Sequence, residues 1–158
     1  MRLLERVPSA QLVGVIELSQ HSLAFQKRGR DGSSKCDLVC TGEETDGVYG
    51  AIYQMDSAHK KALDHFEGKG DGYLDDQLTV ELHGKEYSTF TYFAQPSHIA
   101  DGLKPYHWYK NLVVLGAKHF QFPDVYVRSI ESIESVEDAD ETRRKHHERL
   151  IERIVNFR

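Results

Sequence analysis

A chain of 158 residues, 39% hydrophobic and 28% charged, has the composition of one folded domain with a single core, which excludes a disordered tail. Its net charge of −5, with the basic residues scattered, excludes a dedicated duplex nucleic-acid binder, because the phosphates would repel it. No apolar run approaches the roughly 18 residues of a membrane helix, so neither a membrane partner nor a signal peptide is expected.

Residues 1–8 (MRLLERVP) read as the last turns of a helix stopped by Pro8. Ala10–Leu18 reads as a strand with Gly14 inside it, and His21–Lys27 as a neighbouring strand paired with it. Residues 29–35 (GRDGSSK) are turn-rich, and Cys36–Cys40 is short and extended. On a strand the two thiols share a face but stand too far apart to bond. No Cys or Cys/His pair follows at zinc-like spacing, so both are expected as reduced thiols in a cytoplasmic protein. Val48–Met55 is rich in β-formers and reads as a core strand.

The clearest helix follows. Asp56 or Ser57 can cap it, and Ala58, Ala62, Leu63 and Phe66 share one face. Gly68, Gly70 and Gly72 stop it near Glu67. Tyr73–His83 and Glu86–Phe93 form a hairpin turned at His83-Gly84-Lys85, and Gln95–Lys104 is a loop. Tyr106–Phe120 is a helix, with Trp108, Leu112, Leu115 and Ala117 or His119 at apolar spacing. Residues 124–132 form a short helix, and residues 139–157 a charged terminal helix. Within and before it, Arg143, Arg144 and Lys145 stand among Asp138, Asp140, Glu141 and Glu148, which reads as a solvated face with i,i+4 pairs. Strands, then a helix, a hairpin and more helices point to an α+β fold over residues 1–158. Its sheet is mixed or antiparallel, curled into a barrel with helices outside.

The sharpest local feature is Leu63-Asp64-His65-Phe66-Glu67-Gly68, which puts a carboxylate on the C-terminal end of a helix beside a flexible turn. The unsatisfied carbonyls there disfavour a negative charge by about 0.3–1 kcal/mol. A general base near neutral pH needs a setting that favours the protonated carboxyl, and a helix end acts in that direction. A surface glutamate fits the same residues. Asp64, one turn earlier, is either a second carboxylate or, as the preferred reading, a group that bonds a backbone amide and holds the turn. His65 and Glu67 make the His-x-Glu of zinc deaminases, but the Pro-Cys-x-x-Cys partner is missing. The Gly68–Gly72 run (GKGDG) follows a helix, so no helix N-terminus faces an anion there. Neither a P-loop nor a nucleophile elbow occurs, and neither a metal nor another cofactor is expected. Tyr109 lies off the Trp108–Leu112 stripe and can line a cleft with its hydroxyl.

Several motifs in order carry a family resemblance. Val7-Pro8-Ser9-Ala10 precedes Gly14 and Leu23-Ala24-Phe25; Val48-Tyr49-Gly50-Ala51-Ile52-Tyr53 leads into Leu63-Asp64-x-x-Glu67-Gly68 and Tyr73. Pro105-x-x-x-Tyr109-Lys110, Gly116-Ala117-Lys118 and Pro123-x-x-Tyr126 complete the set. Together they resemble the γ-glutamylcyclotransferase-like (avirulence-induced-gene-like) family over about residues 6–126. The resemblance implies a cofactor-free reaction in which a γ-glutamyl small molecule cyclises to 5-oxoproline and releases an amine or amino acid. It implies Glu67 as the catalytic general acid/base, with Tyr73, Tyr109 and Gly68 binding substrate. Members normally begin with a strand and loop ending in Tyr-Gly-Ser-Asn, whose backbone binds the γ-glutamyl end; that segment is expected just before Arg2 and is missing from these residues. Either the chain starts late, at an internal Met1, or it lacks the loop and serves as a non-catalytic binding protein on the same fold. Sheet edges left open would suit pairing into a homodimer.

Overall fold

The computed structural model describes residue 3 and residues 6–156. Of the expected N-terminal helix, Met1, Arg2, Leu4 and Glu5 lie outside the described residues. Leu3 and Arg6 have helical backbone, and the Val7 N–H donates to the Leu3 carbonyl at 2.7 Å just before Pro8.

In chain order the elements are β1 (Gln11–Ser19), β2 (His21–Arg28), β3 (Ser34–Cys40) and β4 (Gly47–Gln54), then helix α1 (Lys60–Glu67). Strands β5 (Tyr73–Leu82) and β6 (Lys85–Ala94) and helices α2 (His107–His119), α3 (Asp124–Ser132) and α4 (Glu141–Asn156) complete an α+β fold. The strands pair as β1–β4, β2–β3 and β5–β6. The first and last pairs are antiparallel. The β5–β6 turn uses His83 at φ 54° and Gly84 at φ 75°, the two positive φ values that a tight right-twisting hairpin requires.

Among the described residues the expected pairing of β1 with β2 does not form. Only Gln20 separates them, at φ 58°, whereas a tight hairpin needs about two loop residues. The Gln20 N–H donates to Asp46, and its carbonyl accepts from Thr41 and Gly42. Strand β1 is thereby tied to β4, with Ser19 opposite Gly47, while β2 turns away to β3.

The chain forms two compact units. The first runs up to Lys27 and resumes at Cys36–Ile99; the second is Arg28–Lys35 with the residues from Ala100 on. Val7, Ala10 and Leu63 are buried at the heart of the first unit, with Leu3, Tyr53, Met55, Phe90 and Tyr92 packed around them. Gly14 lets β1 approach β5 closely: a Cβ there would stand 2.6 Å from a Leu82 methyl.

Ala100, Trp108, Val114, Ala117, Val127 and Ile130 are buried in the second unit. Its charged segment differs from the expected solvated face. Asp138 is 1% exposed, accepts from Arg143 at 2.6 and 2.7 Å, and accepts from the Trp108 indole N–H at 2.9 Å. The Arg143 hydrogen bonds, with those of Trp108 and the Asp140 N–H, hold the Asp138 pKa down to about 2. A charge pattern that reads as surface therefore includes a buried anchor, because Arg143 and Trp108 satisfy the carboxylate. The Lys145–Glu141 pair, at 2.6 Å, is the exposed i,i+4 contact that was expected. Among the described residues no helix is long and apolar enough to cross a membrane.

Candidate active site

Helix α1 begins through a partner distant in sequence. Asp56 has extended backbone but makes no side-chain cap; instead its N–H donates to the Ser9 hydroxyl at 3.0 Å. Ser9 also hydrogen-bonds His59 at 2.7 Å, so this residue ties the helix start to the segment before β1.

The helix ends as the glycines dictate. Gly68 adopts φ 71°, ψ 42°, and the Lys69 N–H donates to the Asp64 carbonyl at 2.9 Å. The turn then closes on itself: the Gly70 N–H donates to the Tyr73 carbonyl at 2.8 Å, and the Asp71 N–H to the Gly68 carbonyl at 2.9 Å. This places Glu67, Gly68 and Tyr73 around one tight turn.

The inward face of α1 is not the apolar stripe expected from the sequence. Ala58, Ala62 and Phe66 are exposed; Leu63 is buried, and Lys60, Asp64 and Glu67 are half-buried. Polar partners explain this. Asp64 accepts from Lys60 and from the Tyr92 hydroxyl at 2.7 Å, with Lys69 3.8 Å away. Lys60 and Lys69 both reach Asp75 at 2.8 Å. Asp64 thus bonds side chains, not the backbone amide expected for it. Burial opposes its charge, but Lys60 and Tyr92 outweigh burial and hold its carboxyl below the usual range. Lys60 and Lys69 bring Asp75 down to about 2.

Glu67 ends this face. Its carboxylate accepts from Arg6 at 3.0 Å, with the two side chains 33% and 32% exposed for Arg6 and Glu67 respectively. The Arg6 guanidinium lies 5.4 Å from the Phe66 ring centroid. Its positive charge offsets the repulsion of the helix-end carbonyls. Nothing local signals this partner, which is 61 residues away in the chain.

Tyr73 donates its hydroxyl to the Cys36 carbonyl at 2.9 Å, and the ammonium of buried Lys27 lies 4.7 Å from its ring centroid. Burial raises the phenol's pKa, and Cys36, Glu67 and Asp37 add to the rise, so Tyr73 is neutral at physiological pH.

Tyr109 belongs to the second unit. It is half-buried on α2, with the Lys35 ammonium 4.6 Å from its ring centroid and Trp108 edge-on at 5.9 Å. Lys35 also pairs with Asp31 at 2.6 Å. A cavity of about 340 Å³ in this unit is lined by His107, Trp108, Glu137, Asp138, Arg144 and Glu148; none of the four expected site residues lines it. Among the described residues no three His, Cys, Asp or Glu side chains converge as a metal cage.

The model of the AIG2-like family matches residues 47–130, a little over half the chain, and spans Glu67, Gly68, Tyr73 and Tyr109. A γ-glutamylcyclotransferase from Bos taurus is 29% identical over 134 residues, covering 82% of this chain and 70% of the relative. A solved γ-glutamyl cyclotransferase shares the fold at TM-score 0.81 and 22% identity, over 96% of this chain and 90% of that one. An uncharacterized protein from Homo sapiens superposes at TM-score 0.78 and 23% identity, with the same coverage. Family, relative and fold agree with the ordered motifs, and the chain belongs to the AIG2-like family as a γ-glutamylcyclotransferase-like protein.

Proposed function

We propose that the chain cyclises a γ-glutamyl compound to 5-oxoproline and a free amine or amino acid, with Glu67 as general acid/base. The observation that carries this reading is the Glu67 carboxylate itself. It stands at the open end of α1, about one-third exposed, where a small molecule can reach it, and it lies within the family match.

The chemistry follows from the substrate. Its nucleophile is its own α-amino group, an ammonium at neutral pH and inert until a proton is removed. Glu67 takes that proton. The freed nitrogen attacks the γ-carbonyl carbon and closes a five-membered ring. The bond from that carbon to the departing nitrogen then breaks as Glu67 returns its proton to the leaving amine, and the ring nitrogen gives its second proton to solvent, leaving the neutral lactam N–H. No electrons change hands. Folding the glutamyl chain so that its ends meet is worth effective molarities of about 10⁵–10⁸ M. The neutral Tyr73 ring and the Gly68 turn are the substrate-facing surfaces assigned beside Glu67.

The test is release of 5-oxoproline, by mass spectrometry, from a panel of γ-glutamyl amino acids, a γ-glutamyl-lysine isopeptide and γ-glutamylated amines. At least one should turn over, and Glu67→Gln should lower its kcat by about 10²–10⁴-fold. An inert chain across the whole panel, or a Glu67→Gln variant at full rate, ends the reading.

A further inference from the structure

We infer that Arg6 and Glu67 together receive an α-amino acid head, Arg6 taking the α-carboxylate and Glu67 the α-ammonium of the γ-glutamyl group. The inference rests on the proposed reaction and deepens it by naming what selects the substrate.

The two side chains carry opposite charges side by side, Nη1 to Oε1 at 3.0 Å, each about one-third exposed. An ion pair this open is weak and exchangeable, so a ligand can part it at small cost. The arriving head carries the complementary pair of charges on one carbon. One protein–protein ion pair is exchanged for two protein–ligand pairs. Arg6 is suited to its half: its guanidinium lies over the Phe66 ring, and its planar fork has N–H donors beyond the one used on Glu67. The other inward cations of α1 and its turn, Lys60 and Lys69, are already held by Asp64 and Asp75.

The exchange also couples recognition to activation. A carboxylate that draws Arg6 away releases Glu67 toward the ammonium whose proton it must take. A ligand without the carboxylate leaves Arg6 on Glu67 and the base occupied. The pair thus selects substrates with a free α-carboxylate, whatever amine departs.

Two matched probes test this: γ-L-glutamyl-L-alanine, and 4-aminobutyryl-L-alanine, which keeps chain length and amine but lacks the α-carboxylate and would give 2-pyrrolidinone. The chain should prefer the first by roughly 10- to 100-fold in kcat/KM, the worth of one charged hydrogen-bonded contact. Arg6→Met should remove that preference, by slowing the first probe and by freeing Glu67 for the second, and Arg6→Lys should restore part of it. The ratio is read within one sample, so a smaller folded fraction does not move it. An unchanged ratio in Arg6→Met, or an equal loss on both probes, overturns the assignment. If neither probe turns over, calorimetric titration with 5-oxo-L-proline and 2-pyrrolidinone reads the same contrast in binding. Absence of 5-oxo-L-proline binding, or binding that Arg6→Met leaves intact, is equally fatal. A full-rate Glu67→Gln sinks the general-base reading whatever Arg6 does. An inactive Glu67→Gln beside an unchanged Arg6→Met ratio sinks the Arg6 assignment alone.

Discussion

Tyr73 commits its hydroxyl to the Cys36 carbonyl and lies beneath the Lys27 ammonium, so its ring, not its phenol, is what it can offer a ligand. Tyr73→Phe should therefore cost about 0.5–1.5 kcal/mol in urea unfolding, from one lost hydrogen bond, while kcat stays within about tenfold. A large loss of kcat with unchanged stability would show that the hydroxyl serves the reaction instead. Legibility differed sharply between neighbouring residues. Glu67 could be located because three glycines in five positions force a helix to end, and a carboxylate at that end is unusual. Its partner Arg6, 61 residues away, leaves no local pattern. The same holds for Ser9, which bonds the Asp56 N–H and the His59 ring where a side-chain cap from Asp56 or Ser57 was expected.

At the level of elements, helix α1 shows where hydrophobic patterning misleads. Of the expected stripe only Leu63 is buried; Ala62, Phe66 and, in the turn before the helix, Ala58 face solvent, while Asp64, Lys60, Tyr92 and Asp75 satisfy one another. A polar face whose charges are paired can be buried, and periodicity alone does not record the pairing. The β5–β6 hairpin was legible, since its turn chemistry is local; the partner of β1 was not, since β4 comes more than twenty residues later. The glycine turn after α1 is also local and has a direct test. Gly68 sits at φ 71°, and a Cβ there would stand 3.3 Å from the Asp71 carbonyl oxygen. Gly68→Ala should lower stability by about 1–2 kcal/mol, read as a lower urea midpoint. Because Glu67 is the preceding residue, the variant should also lose activity beyond its loss of folded protein. A variant as stable as the parent would mean that the turn is not held in the left-handed region.

For the molecule as a whole, the ordered set of motifs pointed to the right family and to an α+β fold, although no one motif was decisive. What it could not convey was how the second unit is held together. The segment around Asp138 has a surface composition, yet its carboxylate is 1% exposed and bridges Trp108 and Arg143. Its folded pKa of about 2 lies below the unfolded value near 3.9. In acid the unfolded chain therefore binds a proton that the folded chain does not. The stabilisation is fully present above about pH 4 and is lost as pH falls toward 2. Asp138→Asn should cost about 1–3 kcal/mol at pH 7, and the gap to the parent should close between about pH 4 and pH 2. Urea melts of both proteins across that range check the sign; a gap that widened in acid would contradict it.

The central claim is that Glu67 moves the protons of a γ-glutamyl cyclisation. The most direct measurement is the rate of 5-oxoproline formation at saturating γ-glutamyl substrate for the parent chain and for Glu67→Gln, with both shown to be equally folded. The account predicts turnover in the parent and a loss of about 10²–10⁴-fold in the variant, the range of one general acid/base. Equal rates in the two proteins would contradict it.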